Sequence, residues 1–223
     1  MTLKLFVQAI SKFIFGALIV ALLIFLPAGT FNYWQGWLFM GILFVPMFSA
    51  GIVMMIKNPI LLRKRLDAKE KQSEQKAVIL FSALMFFVGF VLCGLNFRFQ
   101  WSILPTWAVI ASSAVFLLSY ALYAEVLREN TYLSRTIEVQ EGQKLIDTGL
   151  YGIVRHPMYF TTVLLFLSMP LVLGCPISFA VFLVYPFILV KRIKNEEKVL
   201  EDGLEGYREY KQKVKYRLIP FIW

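Results

Sequence analysis

The sequence predicts an all-α integral membrane helical bundle of about six transmembrane helices, with a tight helical hairpin near the C-terminus and a cytoplasmic amphipathic tail helix. Three observations lead to this fold class. The 223 residues are 59% hydrophobic and only 17% charged, which is too apolar for an ordinary soluble domain. The apolar residues form uncharged runs close to the roughly 20 residues that a helix needs to cross a bilayer. The basic residues collect between these runs.

Uncharged runs of suitable length are the candidate transmembrane helices, and because the last two are short we expect five to six crossings. They run from Phe13 to Ala28, Gly36 to Ile56, Ala77 to Leu95, Leu104 to Tyr123, Tyr159 to Gly174 and Ile177 to Val190. The first run follows two lysines, as in a signal peptide, but no cleavage site of small residues comes after it. We therefore expect it to be retained as a helix.

The placement of basic residues predicts the orientation of the bundle. Of the 23 lysines and arginines, all but Arg98 lie in the N-terminal segment, in segments 57–76 and 128–155, or in the tail 191–217. Such an asymmetry is typical of cytoplasmic segments. It predicts a multi-pass protein with both termini in the cytoplasm. Because juxtamembrane placement accounts for the net charge of +9, we expect contact with membrane lipids and no binding of nucleic acid.

The connections between the runs indicate where function lies. Only Cys175-Pro176 joins the fifth and sixth runs, which predicts a tight antiparallel hairpin. The loops on the predicted cytoplasmic side are long and polar, and functional side chains concentrate on such loops. Cys93 and Cys175 have no ligand-like partners, so we expect no metal site. A disulfide between them stays open.

Polar residues gather at both ends of the predicted hairpin. Arg155 and His156 precede Pro157, which suits the first turn of a helix. The free N–H groups of such a turn, with these two side chains, can hold a carboxylate or a phosphate. Anchoring at the lipid headgroups is the alternative. Because the hairpin is tight, Glu196 and Glu197 return to the same level, and the set suits a ligand that carries both an ammonium group and a carboxylate.

The residues after the hairpin leave two alternatives open. Arg192 and Glu196 have the spacing of an ordinary pair on a helix surface, whereas Glu197 has no such partner. Apolar residues from Leu200 to Val214 predict an amphipathic helix, and an aromatic segment follows to the C-terminus. A lid over the site and an anchor on the lipid surface both fit this pattern.

The motifs of roughly the last 90 residues carry a resemblance. They are Gly149-x-Tyr151, Arg155-His156-Pro157-x-Tyr159, the apolar hairpin, Glu196-Glu197, Tyr207-x-x-Tyr210 and Arg217-Leu218-Ile219-Pro220. In this order they resemble the isoprenylcysteine carboxyl methyltransferase family and its phospholipid methyltransferase relatives. One departure is that Gly206 immediately precedes Tyr207, where family members commonly place a glycine three residues before the tyrosine.

The resemblance implies a membrane enzyme that uses S-adenosylmethionine to methylate a lipophilic acceptor. It divides the chain into an N-terminal four-helix region, residues 1–130, and a C-terminal cofactor-binding catalytic region, residues 131–223. The implied cofactor-binding residues are Tyr151, Val154, Arg155, His156, Pro157, Tyr159, Glu196, Glu197, Tyr207, Tyr210, Leu218, Ile219 and Pro220. Arg155 and Glu197 are the candidate catalytic residues. Arg155 would hold the acceptor or the cofactor carboxylate, and Glu197 would bind the cofactor's ammonium or ribose, or act as a base for an amine acceptor.

Two other functions remain open. The Arg-His-Pro helix start and the C-terminal Tyr-x-x-Tyr pattern also resemble membrane sterol reductases, which would use NADPH. A non-catalytic membrane protein is the second alternative. The sequence does not distinguish an isoprenylated peptide, a phospholipid amine, an isoprenoid acid or a small thiol as acceptor, and it leaves the oligomeric state open.

Overall fold

The computed structural model describes residues 3–66, 73–133, 137 and 139–223, and in these parts of the chain it is helical without any strand. The described residues form nine α-helices and a 3-10 turn at Gly149–Gly152. The helices are α1 Leu3–Ala28, α2 Trp34–Lys57, α3 Pro59–Leu66, α4 Ser73–Phe99, α5 Thr106–Glu129, α6 Pro157–Val172, α7 Pro176–Phe182, α8 Tyr185–Gly203 and α9 Tyr207–Lys213.

The predicted membrane bundle is confirmed. Five segments are long and apolar enough to cross a membrane, namely Leu5–Ala28, Trp34–Lys57, Ala77–Phe99, Thr106–Glu129 and Pro176–Gly203. α6 is apolar but shorter, and it corresponds to the fifth predicted run. The outward-facing side chains of these helices are large and hydrophobic, as a lipid-facing surface requires.

The hairpin turns where the sequence predicts it. α6 ends at Val172, and Gly174 adopts φ 71°, which is the usual way to end a helix. Cys175 then caps α7 by accepting a hydrogen bond from the backbone N–H of Ser178, and Pro176 occupies the first turn. The prediction of one continuous helix for the second arm is wrong, because the helix is interrupted between α7 and α8. Pro186 lies in the first turn of α8, where its missing N–H costs nothing.

Aromatic and aliphatic side chains fill the centre of the bundle. Phe39 of α2, Phe116 of α5 and Phe182 of α7 are fully buried. Gly94 of α4 lies against the backbone of α1, so that a Cβ there would meet the carbonyl oxygen of Ile24. Small residues of this kind let membrane helices approach closely. α6 and α8 contribute Leu165 and Leu189 to the same core.

The tail differs from the sequence prediction. One amphipathic helix is predicted beyond Leu200, but α8 runs through to Gly203 and α9 is only seven residues long. Gly206, with φ 80°, makes the turn between the two helices. After α9 the chain leaves the helix and folds back, and the Trp223 carbonyl accepts hydrogen bonds from the N–H groups of Leu218 and Ile219. Residues 214–223, called the tail from here on, therefore form a turn that packs on the bundle through Leu218 and Trp223.

Candidate functional site

A cavity lies where the loop after α5, the start of α6, the polar half of α8 and α9 meet. It contains about 850 Å³ of space that no atom fills, and this volume includes space open to solvent. Its lining residues are Asn130, Tyr132, Leu133, Ile137, Gln143, Lys144, Leu145, Ile146, Tyr151, Arg155, His156, Met158, Tyr159, Arg192, Glu196, Val199, Leu200, Leu204, Tyr207 and Tyr210.

Glu197 is the centre of a buried ion-pair network beside the cavity. Its side chain is 3% exposed, and its Oε1 accepts a hydrogen bond from Arg155 Nε at 2.8 Å. His156 Nε2 lies 3.4 Å from the same oxygen. Arg217 Nε lies 2.9 Å from Oε2. One carboxylate thus joins α8 to the start of α6 and to the tail, and its buried charge is compensated by these partners.

The tail also forms hydrogen bonds with the backbone just before α6. The N–H groups of Arg155 and His156 donate to the carbonyls of Tyr216 and Arg217 at 2.9 and 2.8 Å. Arg155 Nη1 donates to the carbonyls of Val214 and Lys215 at 2.6 and 2.9 Å. These two N–H groups are therefore not available to an anion. The Arg-His pair instead joins the tail to the hairpin.

Tyr159 and Glu196 form the polar wall of the cavity with Arg192. The Tyr159 hydroxyl donates to Glu196 Oε2 at 2.5 Å and accepts from Arg192 Nε at 2.8 Å. The expected Arg192–Glu196 relation is thus bridged by a tyrosine from the other arm of the hairpin. The Arg192 guanidinium and the Glu196 carboxylate therefore lie side by side on the cavity wall.

Three tyrosines complete the site on the α9 side. Tyr151 accepts a hydrogen bond on its hydroxyl from Asn130 Nδ2 at 3.0 Å. Its carbonyl accepts from the Tyr210 hydroxyl at 2.7 Å. Burial raises the pKa of Tyr151 and of Tyr210, so both phenols are neutral donors or acceptors. Tyr207, which is also buried, packs beside Tyr210 with ring centroids 5.7 Å apart.

The structure brings seven of the predicted ligand-binding residues to the cavity wall. These are Tyr151, Arg155, His156, Tyr159, Glu196, Tyr207 and Tyr210. The other predicted residues, Val154, Pro157, Glu197, Leu218, Ile219 and Pro220, are not among its lining residues. Leu218 packs in the hydrophobic core. Their contact with a ligand stays a prediction.

Several residues that line the cavity were not among the predicted site residues. Arg192 could have been found, because with Glu196, Val199 and Leu200 it has the i, i+4, i+7, i+8 spacing of one helix face. Residues 130–147 contribute Asn130, Lys144 and their neighbours from a loop without periodicity. No sequence signal indicates that this loop returns to the hairpin.

The comparison with protein families identifies the segment that builds this site. Residues 108–202 match the model of the isoprenylcysteine carboxyl methyltransferase family. The resemblance predicted from the motifs is confirmed for this segment of the chain. The matched segment runs from α5 through almost all of α8, and it includes most of the lining residues. α9 and the residues after it lie outside the match.

The chain is also similar to curated sterol reductases. The Delta(14)-sterol reductase of Methylotuvimicrobium alcaliphilum is 27% identical over 135 residues, which are 54% of this chain and 32% of the relative. The enzyme of Mus musculus is 31% identical over 91 residues, 40% of this chain and 22% of the relative. The enzyme of Arabidopsis thaliana is 26% identical over 129 residues, 52% of this chain and 34% of the relative. The chain thus spans about a third or less of the length of these relatives.

Proposed function

We propose that this chain is a multi-pass membrane methyltransferase that uses S-adenosylmethionine and acts on a lipophilic acceptor. The observation that carries the proposal is the family match, because residues 108–202 include the side chains of the polar wall and most of the cavity. The cofactor supplies an electrophilic methyl group. The protein has to bind and orient two ligands and exclude water.

The charges on the wall support a zwitterionic cofactor. Glu196 provides a carboxylate for an ammonium group, while Arg192 and Lys144 provide cations for a carboxylate. Such charge-assisted contacts are stronger than neutral ones. The apolar lining residues Leu145 and Val199 suit the flat face of a nucleobase.

Arg155 and Glu197 have the geometry of positioning residues. Their direct ion pair and the contacts of Arg155 with the tail carbonyls hold the start of α6 against α8. We propose that they act through Tyr159 and Glu196, which they keep in place. A carboxylate or thiolate acceptor needs no base for methyl transfer. For an amine acceptor, the Glu196 carboxylate on the cavity wall would accept the proton that the amine loses.

A reductase that uses NADPH is the second candidate. The similarity to three Delta(14)-sterol reductases favours it, and the basic side chains of Lys144 and Arg192 on the wall would suit phosphate groups. The carboxylate of Glu196 in the same wall disfavours a phosphate-rich ligand. For this reason we rank the methyltransferase first.

We further propose that both termini and the cavity face the cytoplasm. The concentration of basic residues around the cavity end of the bundle supports this orientation. An acceptor dissolved in the membrane would then reach the cavity from the adjacent leaflet.

Calorimetric binding to the purified protein in detergent or nanodiscs tests the function. We expect saturable binding of S-adenosylhomocysteine and none of NADPH. Glu196→Gln should weaken it roughly 10-fold, because a charge-assisted contact is lost. Glu209→Gln is the matched control, since Glu209 is exposed on α9 and is not a lining residue. Binding of NADPH alone would establish the reductase, and binding of neither would refute both enzymes.

A further inference from the structure

The hydroxyl group of Tyr207 is an anomaly in the site. Tyr207 is 3% exposed and lines the cavity, yet its hydroxyl is buried with no hydrogen-bond partner among the residues that the structure describes. A buried hydroxyl without a partner has lost its hydrogen bonds to water and has gained none in return. Native structures have few such groups, and each requires an explanation.

Tyr210 shows that the anomaly is specific to Tyr207. The two tyrosines lie one turn apart on α9, and both pack in the same apolar cluster with Leu204 and Val214. The Tyr210 hydroxyl is satisfied by the Tyr151 carbonyl at 2.7 Å. The hydroxyl of Tyr207 is therefore not left unpaired by the general environment of the helix.

The charges around Tyr207 restrict the group that could pair with it. Burial, and then the negative charges of Glu197 and Glu196, raise the pKa of Tyr207, so that its hydroxyl keeps its proton and can donate. Arg155 acts in the opposite direction. An anionic partner would be repelled by the two carboxylates. A neutral hydroxyl suits the position, because it can accept from Tyr207 and donate to a carboxylate.

We propose that the Tyr207 hydroxyl is a ligand anchor that donates a hydrogen bond to a ribose hydroxyl of the bound nucleoside cofactor. This inference rests on the proposed function. The proposal explains why the Tyr207 hydroxyl has no partner within its apolar cluster, since the ribose hydroxyl of the bound ligand would be that partner.

Tyr207→Phe and Tyr210→Phe test the proposal as a matched pair, since each removes one oxygen. Two ligands are used: S-adenosylhomocysteine, and methylthioadenosine, which has the same nucleoside but no amino-acid portion. Binding is measured by calorimetry and by displacement of labelled S-adenosylhomocysteine. Tyr207→Phe should weaken both ligands equally, by roughly 3- to 10-fold, while the melting temperature of the ligand-free protein is unchanged or raised. Tyr210→Phe should lower that melting temperature, because it breaks an existing hydrogen bond.

Each other result overturns a distinct statement. Unchanged affinity of Tyr207→Phe for S-adenosylhomocysteine would refute the anchor and leave the proposed function intact. A loss restricted to S-adenosylhomocysteine, or failure of methylthioadenosine to displace it, would refute the assignment to ribose. A lowered melting temperature of ligand-free Tyr207→Phe would show that the hydroxyl has a structural partner. Wild-type protein that does not bind S-adenosylhomocysteine would refute the proposed function, and the anchor with it.

Discussion

Glu196 and Glu197 are neighbours in the sequence, and the structure predicts that their replacement by glutamine has opposite consequences. Glutamine keeps the shape of the side chain and removes its charge. Glu197→Gln leaves Arg155, which is 6% exposed, without its anionic partner. Glu196→Gln changes the partly exposed wall of the cavity. We expect the first variant to lose stability and the second to lose affinity for the ligand.

The magnitude follows from the burial of each contact. Breaking a buried ion pair costs about 3–5 kcal/mol. Glutamine still accepts a hydrogen bond, and Arg217, whose side chain is 28% exposed, is partly screened by solvent. We therefore take the lower end, about 3 kcal/mol. For a chain of this size about 1 kcal/mol shifts the melting temperature by roughly 2–4 °C, so the expected decrease is roughly 6–12 °C. Glu196→Gln should shift it by less than about 3 °C.

The two buried cysteines can report the unfolding of the protein in a melting experiment. Cys93 and Cys175 are free and buried, so a thiol-reactive fluorescent dye should react with them only as the bundle unfolds. Melting curves of wild type and both variants in one detergent give the temperature shifts, and calorimetry with S-adenosylhomocysteine gives the affinities. Equal melting temperatures for Glu197→Gln and wild type would refute the role of Glu197 as the buried link between α6, α8 and the tail.

Three further predictions concern the backbone and the orientation. Gly149→Ala should destabilise the protein by about 2 kcal/mol, because Gly149 has φ 52° and a Cβ there would displace the Glu129 carboxylate, which accepts a hydrogen bond from the Leu150 N–H. Gly142→Ala has a similar φ of 69° but open space around the new Cβ, and an equal loss in this control would show that the collision is irrelevant. Gly94→Ala should lower the melting temperature by several degrees, since the Cβ would push α1 away from α4, whereas Gly41→Ala, with open space, should not. A fluorescent protein fused to the C-terminus should fluoresce in cells if that end is cytoplasmic, and a fused periplasmic phosphatase should be inactive. The reverse pattern would contradict the proposed orientation.

The parts of the site that the sequence predicts are those within one helix or one tight turn. The fixed geometry of the Cys175-Pro176 turn returns α8 to the level of Arg155, which made it foreseeable that Glu196 and Glu197 lie near that arginine. The direct ion pair of Glu197 with Arg155 was not predicted. The i,i+4 spacing of Arg192 and Glu196 also is a local property. The bridge between them by Tyr159 is not foreseeable, because it depends on how α6 and α8 are rotated about their axes.

The loop 130–147 and the tail show where local patterns are insufficient. Asn130 and Lys144 reach the cavity, and Val139 and Leu145 pack against the apolar cluster around α9. The tail leaves the helical state after Lys213, where the buried contacts of its carbonyls with Arg155 replace the backbone bonds of a longer helix. Tertiary contacts here outweigh the intrinsic preference of the segment.

Hydrophobic length, turn residues and short motifs are properties of contiguous residues, so the membrane bundle, the position of the hairpin turn and the family resemblance of residues 108–202 were predictable from them. The folded arrangement of the helices was needed to show which of the two adjacent glutamates faces the cavity, and to show that the Tyr207 hydroxyl has no partner among the described residues. Those facts depend on the rotation of helices and on distances between residues far apart in the chain, and a one-dimensional pattern does not contain them.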